Sequence, residues 1–343
     1  MSWERRIIGG DELRPYLTNE SATDFRSLVQ ALIEQQQATW PMMREAVAGF
    51  VEVEYKRHSV KGSEVLAQYN PMRRVSTLAQ VDATTIEQRP CFLCADNLPP
   101  EERGIEFGDD FIALCNPFPI LPRHLVISSR RHVPQSIENS FATMLDLTRD
   151  LGEEYFTLYN GPACGASAPD HLHFQACERK WLPIIREIES WERQVLPGDS
   201  EVEAFTLQNY RVNALMAQGA RREALIRWFE AALKRLAEVT ESPVEPMLNM
   251  VTVCDGGRQK LEWTMIVFPR SKHRPSCYYA EGDAKLTVSP GAFDLAGILV
   301  VPQADHFARI GSPEVERIYA EVTLDDARFD RWLARLNDGL DEE

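Results

Sequence analysis

The 343-residue sequence has no apolar run approaching the roughly 18 residues that cross a bilayer as a helix. Its opening residues, MSWERRIIGGDELRPYL, hold no apolar stretch of the kind a secretory signal needs, so neither a membrane partner nor export is expected. Basic residues are scarce: 37 Lys and Arg stand against 52 Asp and Glu, a formal charge of −15. A nucleic-acid partner would require a basic footprint, so that class is excluded for the surface as a whole, while a local basic pocket stays open. Cysteine is sparse and odd in number, seven in all, which argues against a disulfide framework. The expected compartment is therefore a reducing cytoplasm, where thiols are free to hold metal. No low-complexity segment occurs. With 44% hydrophobic and 26% charged residues, the chain has the makings of one large or two medium globular domains.

The chemistry is concentrated in TLYNGPACGASAPDHLHFQAC, residues 157–177. It reads as a strand, a loop of small residues, and a second strand carrying His171, His173 and Gln175. Strand alternation would place these three on one surface. The loop 161–168 offers backbone N–H groups, around Gly165, and the Ser167 hydroxyl to phosphate oxygens. A neutral imidazole attacks phosphorus well when a carbonyl holds its other nitrogen and sets the tautomer. Gln175 can donate its amide to a phosphoryl or leaving oxygen but is no acid at neutral pH, which favours group transfer over acid-assisted hydrolysis.

A second motif is Cys91-Phe92-Leu93-Cys94, between loop-like segments. The two-residue spacer lets both thiolates reach one tetrahedral ion, although a redox pair or two buried thiols would give the same pattern. No second CxxC exists, so histidines must complete the set. His132 and His171 do so, giving a closed site for structural Zn²⁺, with His124 competing for the place of His132.

The elements follow in the order strand (111–115), strand (124–128), helix (136–151), strand, loop, strand. A helix over 24–50, interrupted at Trp40-Pro41, precedes them, and VEVEY at 51–55 is strand-like. A connecting helix over 181–198 ends at a Pro-Gly break. Beyond it, a helix over 219–239 and strands at 247–254 and 261–268 repeat the later part of that order, joined by an Asp-Gly turn in DGGRQK. A strand at 297–301 and helices at 314–322 and 325–336 close the chain before an acidic tail. The expected domains are 1–185, with the catalytic strand and metal site, and 200–343, a degenerate copy. Leu248-Asn249 would match Tyr159-Asn160, and Trp263–Met265 would fall near His171–His173; lacking histidine, the second copy would be silent. Arg73-Arg74, after the Asn70-Pro71 turn, could clamp an anionic substrate. So could the cluster of Arg270, Lys272, His273 and Arg274.

CFLC, the NPFPILPRHLVIS…RRH stretch and GASAPDHLHFQ together resemble the histidine-triad superfamily, most closely the transferase branch typified by galactose-1-phosphate uridylyltransferase. The resemblance implies an α+β fold, a tandem pair of histidine-triad-like half-folds with antiparallel sheets and packed helices. It implies that His173 takes up a nucleoside monophosphate and that Gln175 stands where hydrolases carry a third histidine. It implies Zn²⁺ on Cys91, Cys94, His132 and His171, Asn116 near the ribose and Asn160 near the α-phosphate. QYNPMRRVSTLAQ and DGG…FPRSK are similar to segments of the sugar-nucleotide and dinucleoside tetraphosphate phosphorylases of that branch. The implied partners are a nucleotide sugar or dinucleotide and a phosphate or sugar-phosphate acceptor. Arg73, Asn116, Asn160, Gly165, Ser167 and Lys272 are the expected contacts. Family members are often dimers, so a homodimer is compatible. The rival readings are a nucleotide hydrolase and a zinc-stabilised nucleotide sensor without turnover.

Overall fold

The computed structural model describes residues 3–19, 22–73, 83–197, 200–256 and 261–338. Its strands are β1 (Glu54–Val60), β2 (Ser63–Tyr69), β3 (Gly104–Phe107), β4 (Phe111–Cys115), β5 (Leu125–Ser129), β6 (Tyr155–Asn160) and β7 (His173–Glu178). They continue with β8 (Arg193–Val195), β9 (Glu203–Leu207), β10 (Leu215–Gly219), β11 (Leu248–Asp255), β12 (Glu262–Pro269) and β13 (Ile298–Val300). The longer helices are α1 (Phe25–Thr39), α2 (Pro41–Ala48), α3 (Phe141–Leu151), α4 (Arg222–Thr240), α5 (Ser312–Val322) and α6 (Asp326–Asp338).

Local chemistry sets the helix limits. Asp24 caps α1 by accepting the Ser27 N–H at 3.1 Å. Pro41 opens α2, where a missing N–H costs nothing and the ring forbids continuation of α1. Gly152, at φ +74°, ends α3.

Ten strands form one sheet in the order β3-β4-β5-β7-β6-β11-β12-β10-β9-β8, every neighbouring pair antiparallel. The run β4-β5-α3-β6-β7 is followed by β9-β10-α4-β11-β12, and the sheet order mirrors about the β6/β11 seam. Helices α1, α3, α4 and α6 cover one face through residues such as Phe141, Leu145, Phe229 and Trp332. On the other face Phe156, Leu158, Met216 and Ile266 pack under α5 and a small sheet in which β1 pairs antiparallel with β2. In that small sheet β13 pairs parallel to β2, the one departure from the antiparallel expectation among the described strands.

The architecture is α+β, and its details depart from the sequence reading in several places. The expected helix over 181–198 is a turn (Arg179–Trp181), a short helix (Pro183–Glu187) and strand β8, which finds a partner in β9. The VEVEY strand starts only at Glu54, and Lys61-Gly62, both with positive φ, turn β1 into β2. Strands β3, β8, β9 and β10 were not anticipated. Across the seam, Asn249 lies directly opposite Asn160. Ser128, next to last in β5, faces His173, and Gln218, next to last in β10, faces Thr264, so Thr264 is the counterpart of His173. Arg74, residues 257–260 of DGGRQK, Gly198 of the Pro-Gly break and residues 339–343 of the acidic tail lie outside the described residues. Among the described residues no helix is long and apolar enough to cross a membrane.

Candidate active site and metal centre

Phe174 and Ala176 of β7 point into the helical face, so His173 and Gln175 point the other way. There they line a cavity of about 540 Å³. His173 is 5% exposed. Its backbone N–H donates to Gln135 Oε1 at 2.8 Å, and the Gln135 amide donates to the carbonyls of Asn160 (2.9 Å) and His173 (3.0 Å). His173 Nδ1 lies 2.8 Å from the His171 carbonyl. A carbonyl can only accept, so Nδ1 carries the proton and Nε2 presents its lone pair.

Burial holds the His173 pKa down to about 4. Only the neutral ring is a nucleophile, so kcat is expected to show no histidine-type acid limb between neutral pH and about pH 5, and to fall below about pH 4. An inflection near the ordinary imidazole value of 6.5 would contradict this. Stability has the same sign. Between 6.5 and about 4 the unfolded chain binds the proton and the folded chain does not, so stability decreases as pH falls through that window.

His124 is the competitor of His132 for the third ligand position, and His132 holds that position. His124 takes no part in the metal cluster. Its Nδ1 accepts the Ile120 N–H at 3.1 Å, so Nε2 must be the donor in the 2.7 Å bond to Gln175 Oε1. Burial, together with nearby Arg73, keeps His124 neutral, with its pKa near 3. The relay fixes which end of Gln175 is oxygen, and its amide N–H₂ is left for the cavity. Replacing His124 by Phe should let Gln175 turn and lower turnover on the order of 10²-fold while leaving labelling of His173 possible. Unchanged kcat would show that Gln175 orientation is irrelevant.

The loop after β6 brings the phosphate-type groups to the same cavity. Gly165 adopts φ +97°, which strains any other residue, and a Cβ there would also come within 3.2 Å of the Gly291 Cα. Ser167 lines the cavity, its carbonyl held by the Arg89 guanidinium at 3.0 Å. Asn160 Oδ1 accepts from Asn249 Nδ2 (2.7 Å) and from the Ala292 N–H (2.8 Å), which leaves its amide for a ligand. Asn116 lines the wall, its Oδ1 accepting the Phe118 N–H at 2.8 Å, and Arg73 lines it with one nitrogen on the Phe118 carbonyl.

Lys272 is not brought to this cavity. Its Nζ pairs with Glu321 at 3.2 Å, while its neighbours His273 and Arg274 line the wall instead. Arg270 is buried and fully engaged, donating to Asn249 Oδ1 and to the carbonyls of Val322, Pro290, Lys272 and His273. It braces the fold rather than binding an anion. Asp294 and Glu102, also in the lining, carried no motif that would have revealed them.

His171 does not share the strand face. It precedes β7, and its ring turns away from the cavity toward Cys91 and Cys94. The potential ligand atoms of Cys91, Cys94, His132 and His171 all lie within 4.8 Å of one another. Cys91 Sγ is 3.3 Å from His171 Nδ1, and Cys94 Sγ is 3.3 Å from His132 Nδ1 and 3.6 Å from His171 Nδ1. Tetrahedral metal–sulfur and metal–nitrogen bonds of about 2.3 and 2.0 Å imply edges of about 3.5 Å, so the spacing fits an ion. His171 Nε2 sits 2.8 Å from the Ser129 carbonyl, which makes it the protonated nitrogen and leaves Nδ1 for a metal. His132 Nε2 lies 3.6 Å from Asp170, itself held by Arg89 at 3.2 Å, a carboxylate–imidazole pair of the kind that backs metal ligands. Phe92 and Leu93, between the two cysteines, line the same cavity as His173. A metal here would therefore stiffen a wall of that cavity.

Comparison with known proteins bears on the fold. Residues 32–178 match the family described as Domain of unknown function (DUF4922), and residues 187–342 match that described as GDPGP1-like, C-terminal domain. No curated protein sequence matches. Yeast Ap4A phosphorylase Apa2 in complex with Ap4A is 14% identical, with a TM-score of 0.56 over 86% of this chain and 97% of that one. The same enzyme in complex with AMP gives 0.55, with the same identity and coverage. Sheet order and this structural likeness agree: the chain carries the α+β, histidine-triad-like fold seen in yeast Ap4A phosphorylase.

Proposed function

We propose that the chain is a nucleotidyltransferase that works through a nucleotidyl-His173 intermediate. The observation that carries this reading is the tautomer of His173: Nδ1–H is committed to the His171 carbonyl and Nε2 is free at the cavity. The Nε2 lone pair attacks the α-phosphorus of a nucleoside diphosphate sugar. The N–P bond forms as the P–O bond to the β-phosphate breaks, and the departing sugar 1-phosphate takes the electron pair. His173 then bears an imidazolium charge whose Nδ1–H points at the His171 carbonyl, so the group that set the tautomer also stabilises the intermediate. Phosphate or a sugar 1-phosphate attacks the same phosphorus, the N–P bond breaks, and neutral imidazole returns. The Gln175 amide, aimed by His124, steadies the phosphoryl oxygens. The Asn160 amide, Ser167 and the N–H groups around Gly165 complete that cradle, with Asn116 and Arg73 beside the ribose and the remaining charge.

The Cys91–Cys94–His132–His171 cluster is read as a structural zinc site, closed to substrate because protein atoms supply all four ligands. Residues 1–185 and 200–343 are read as the catalytic and degenerate halves, and a reducing cytoplasm suits seven unbridged cysteines. A dinucleoside polyphosphate offers His173 the same pyrophosphate, so a donor panel distinguishes the two substrate classes.

The test is ping-pong behaviour. Incubation with a nucleotide-labelled donor and no acceptor should leave one acid-labile label per chain on His173, discharged by phosphate. Turnover through a ternary complex, with no label trapped at any time, would exclude the mechanism.

A further inference from the structure

Of the four basic residues at 270–274, two are accounted for elsewhere: Arg270 braces the fold and Lys272 pairs with Glu321. Arg274 is different. It lines the cavity but has no carboxylate partner among the described residues, in a chain of net charge −15 where most arginines find one. It is nonetheless held in place. Its Nε donates to Ser289 Oγ at 3.0 Å, and the guanidinium lies over the Tyr278 ring, 4.2 Å from the centroid. Both terminal nitrogens are left for a ligand. The Ser289 hydroxyl is also 3.5 Å from His273 Nε2, a ring that burial and the charges of Arg274 and Arg270 keep neutral.

The backbone behind this trio is fixed by Arg270 of the same half and meets the other half at Gly165. Arg270 donates to the His273 carbonyl (3.0 Å) and to the Pro290 carbonyl (2.9 Å), next to Ser289. Gly291 packs against Gly165 of the phosphate-type loop. An arginine oriented by a hydroxyl and an aromatic face, unneutralised and facing a cavity, is built to take a tetrahedral oxyanion.

We propose that Arg274, Ser289 and His273 form the subsite for the phosphate that is not transferred: the β-phosphate of the donor in the first half-reaction and the incoming phosphate in the second. This rests on the ping-pong reading for its place in the cycle, although the binding of phosphate itself does not. In the first step the electron pair of the breaking P–O bond settles on an oxygen of the β-phosphate, where the guanidinium offsets the added charge. In the second step an oxygen of the bound phosphate makes the bond to phosphorus. Each half of the chain would then supply one side of the reaction, His173 the nucleotidyl group and Arg274 its leaving and entering partner.

The probe is inorganic phosphate, titrated by calorimetry into the intact protein and into its His173→Ala variant. Both should bind it, since the subsite does not need the nucleophile. Arg274→Gln should weaken binding about tenfold or more, and Arg274→Lys should fall between. Metal content and far-UV circular dichroism of each variant report that the fold is intact. Equal affinity in Arg274→Gln and the parent protein would overturn the proposal, as would no binding at millimolar phosphate in the parent. Failure of the parent to form a labelled His173 while phosphate still binds through Arg274 would overturn the covalent mechanism and leave the subsite standing.

Discussion

His173→Ala should abolish the covalent label and lower turnover by at least roughly 10⁴-fold, the scale on which covalent nucleophiles are missed. The variant should still fold. The imidazole is buried against the cavity rather than in the hydrophobic core, and its loss leaves the His171 carbonyl without one donor, worth about 1 kcal/mol. Metal content should be unchanged, because the metal-facing atoms belong to His171 and the other three ligands. Turnover within tenfold of the parent would mean that another group attacks phosphorus. Of the nearby imidazoles, His124 is held between Ile120 and Gln175, His171 faces the thiols and His273 sits beside Ser289.

Cys91→Ser combined with Cys94→Ser should remove the metal and lower the melting temperature by about 10 °C or more. Structural zinc contributes many kcal/mol, and each kcal/mol is worth about 2–4 °C in a chain of this size. Turnover should fall as well, on the order of 10²-fold, by a traceable route. Without the ion the His171 ring loses its Nδ1 partner, and the carbonyl of the same residue is the one that sets the His173 tautomer. The Phe92-Leu93 wall is released at the same time. Full metal content with an unchanged melting temperature in the double variant would remove the site from consideration, whatever the activity.

Much of the site was legible because its residues are close in sequence. His173, Gln175 and Gly165 lie within one hairpin, and CxxC announces itself by spacing. His124 was visible only as a histidine near a strand. Its role depends on the β5–β7 pairing, which brings it beside Gln175, and no linear pattern encodes that pairing. Lys272 and Arg274 show the same limit at shorter range: two residues apart, one is drawn to Glu321 and the other faces the cavity. The strands missed, β3 and β8 to β10, are short, and there propensity is weak and a neighbouring edge decides.

That seam has a further consequence. Asn160 in the catalytic cavity is bonded to Asn249, Asn249 to Arg270, and Arg270 to the backbone that presents His273 and Pro290. Asn160, Asn249 and Arg270 are all buried, and each nitrogen of the Arg270 guanidinium donates. Residues 1–185 are thus not a detachable module. Expressed alone, residues 1–185 would expose the β6 edge, lose the partner of the Asn160 oxygen and keep a nucleophile with only half a cavity around it. On the proposed reading, residues 200–343 supply the second wall of the candidate site, through His273, Arg274 and Ser289.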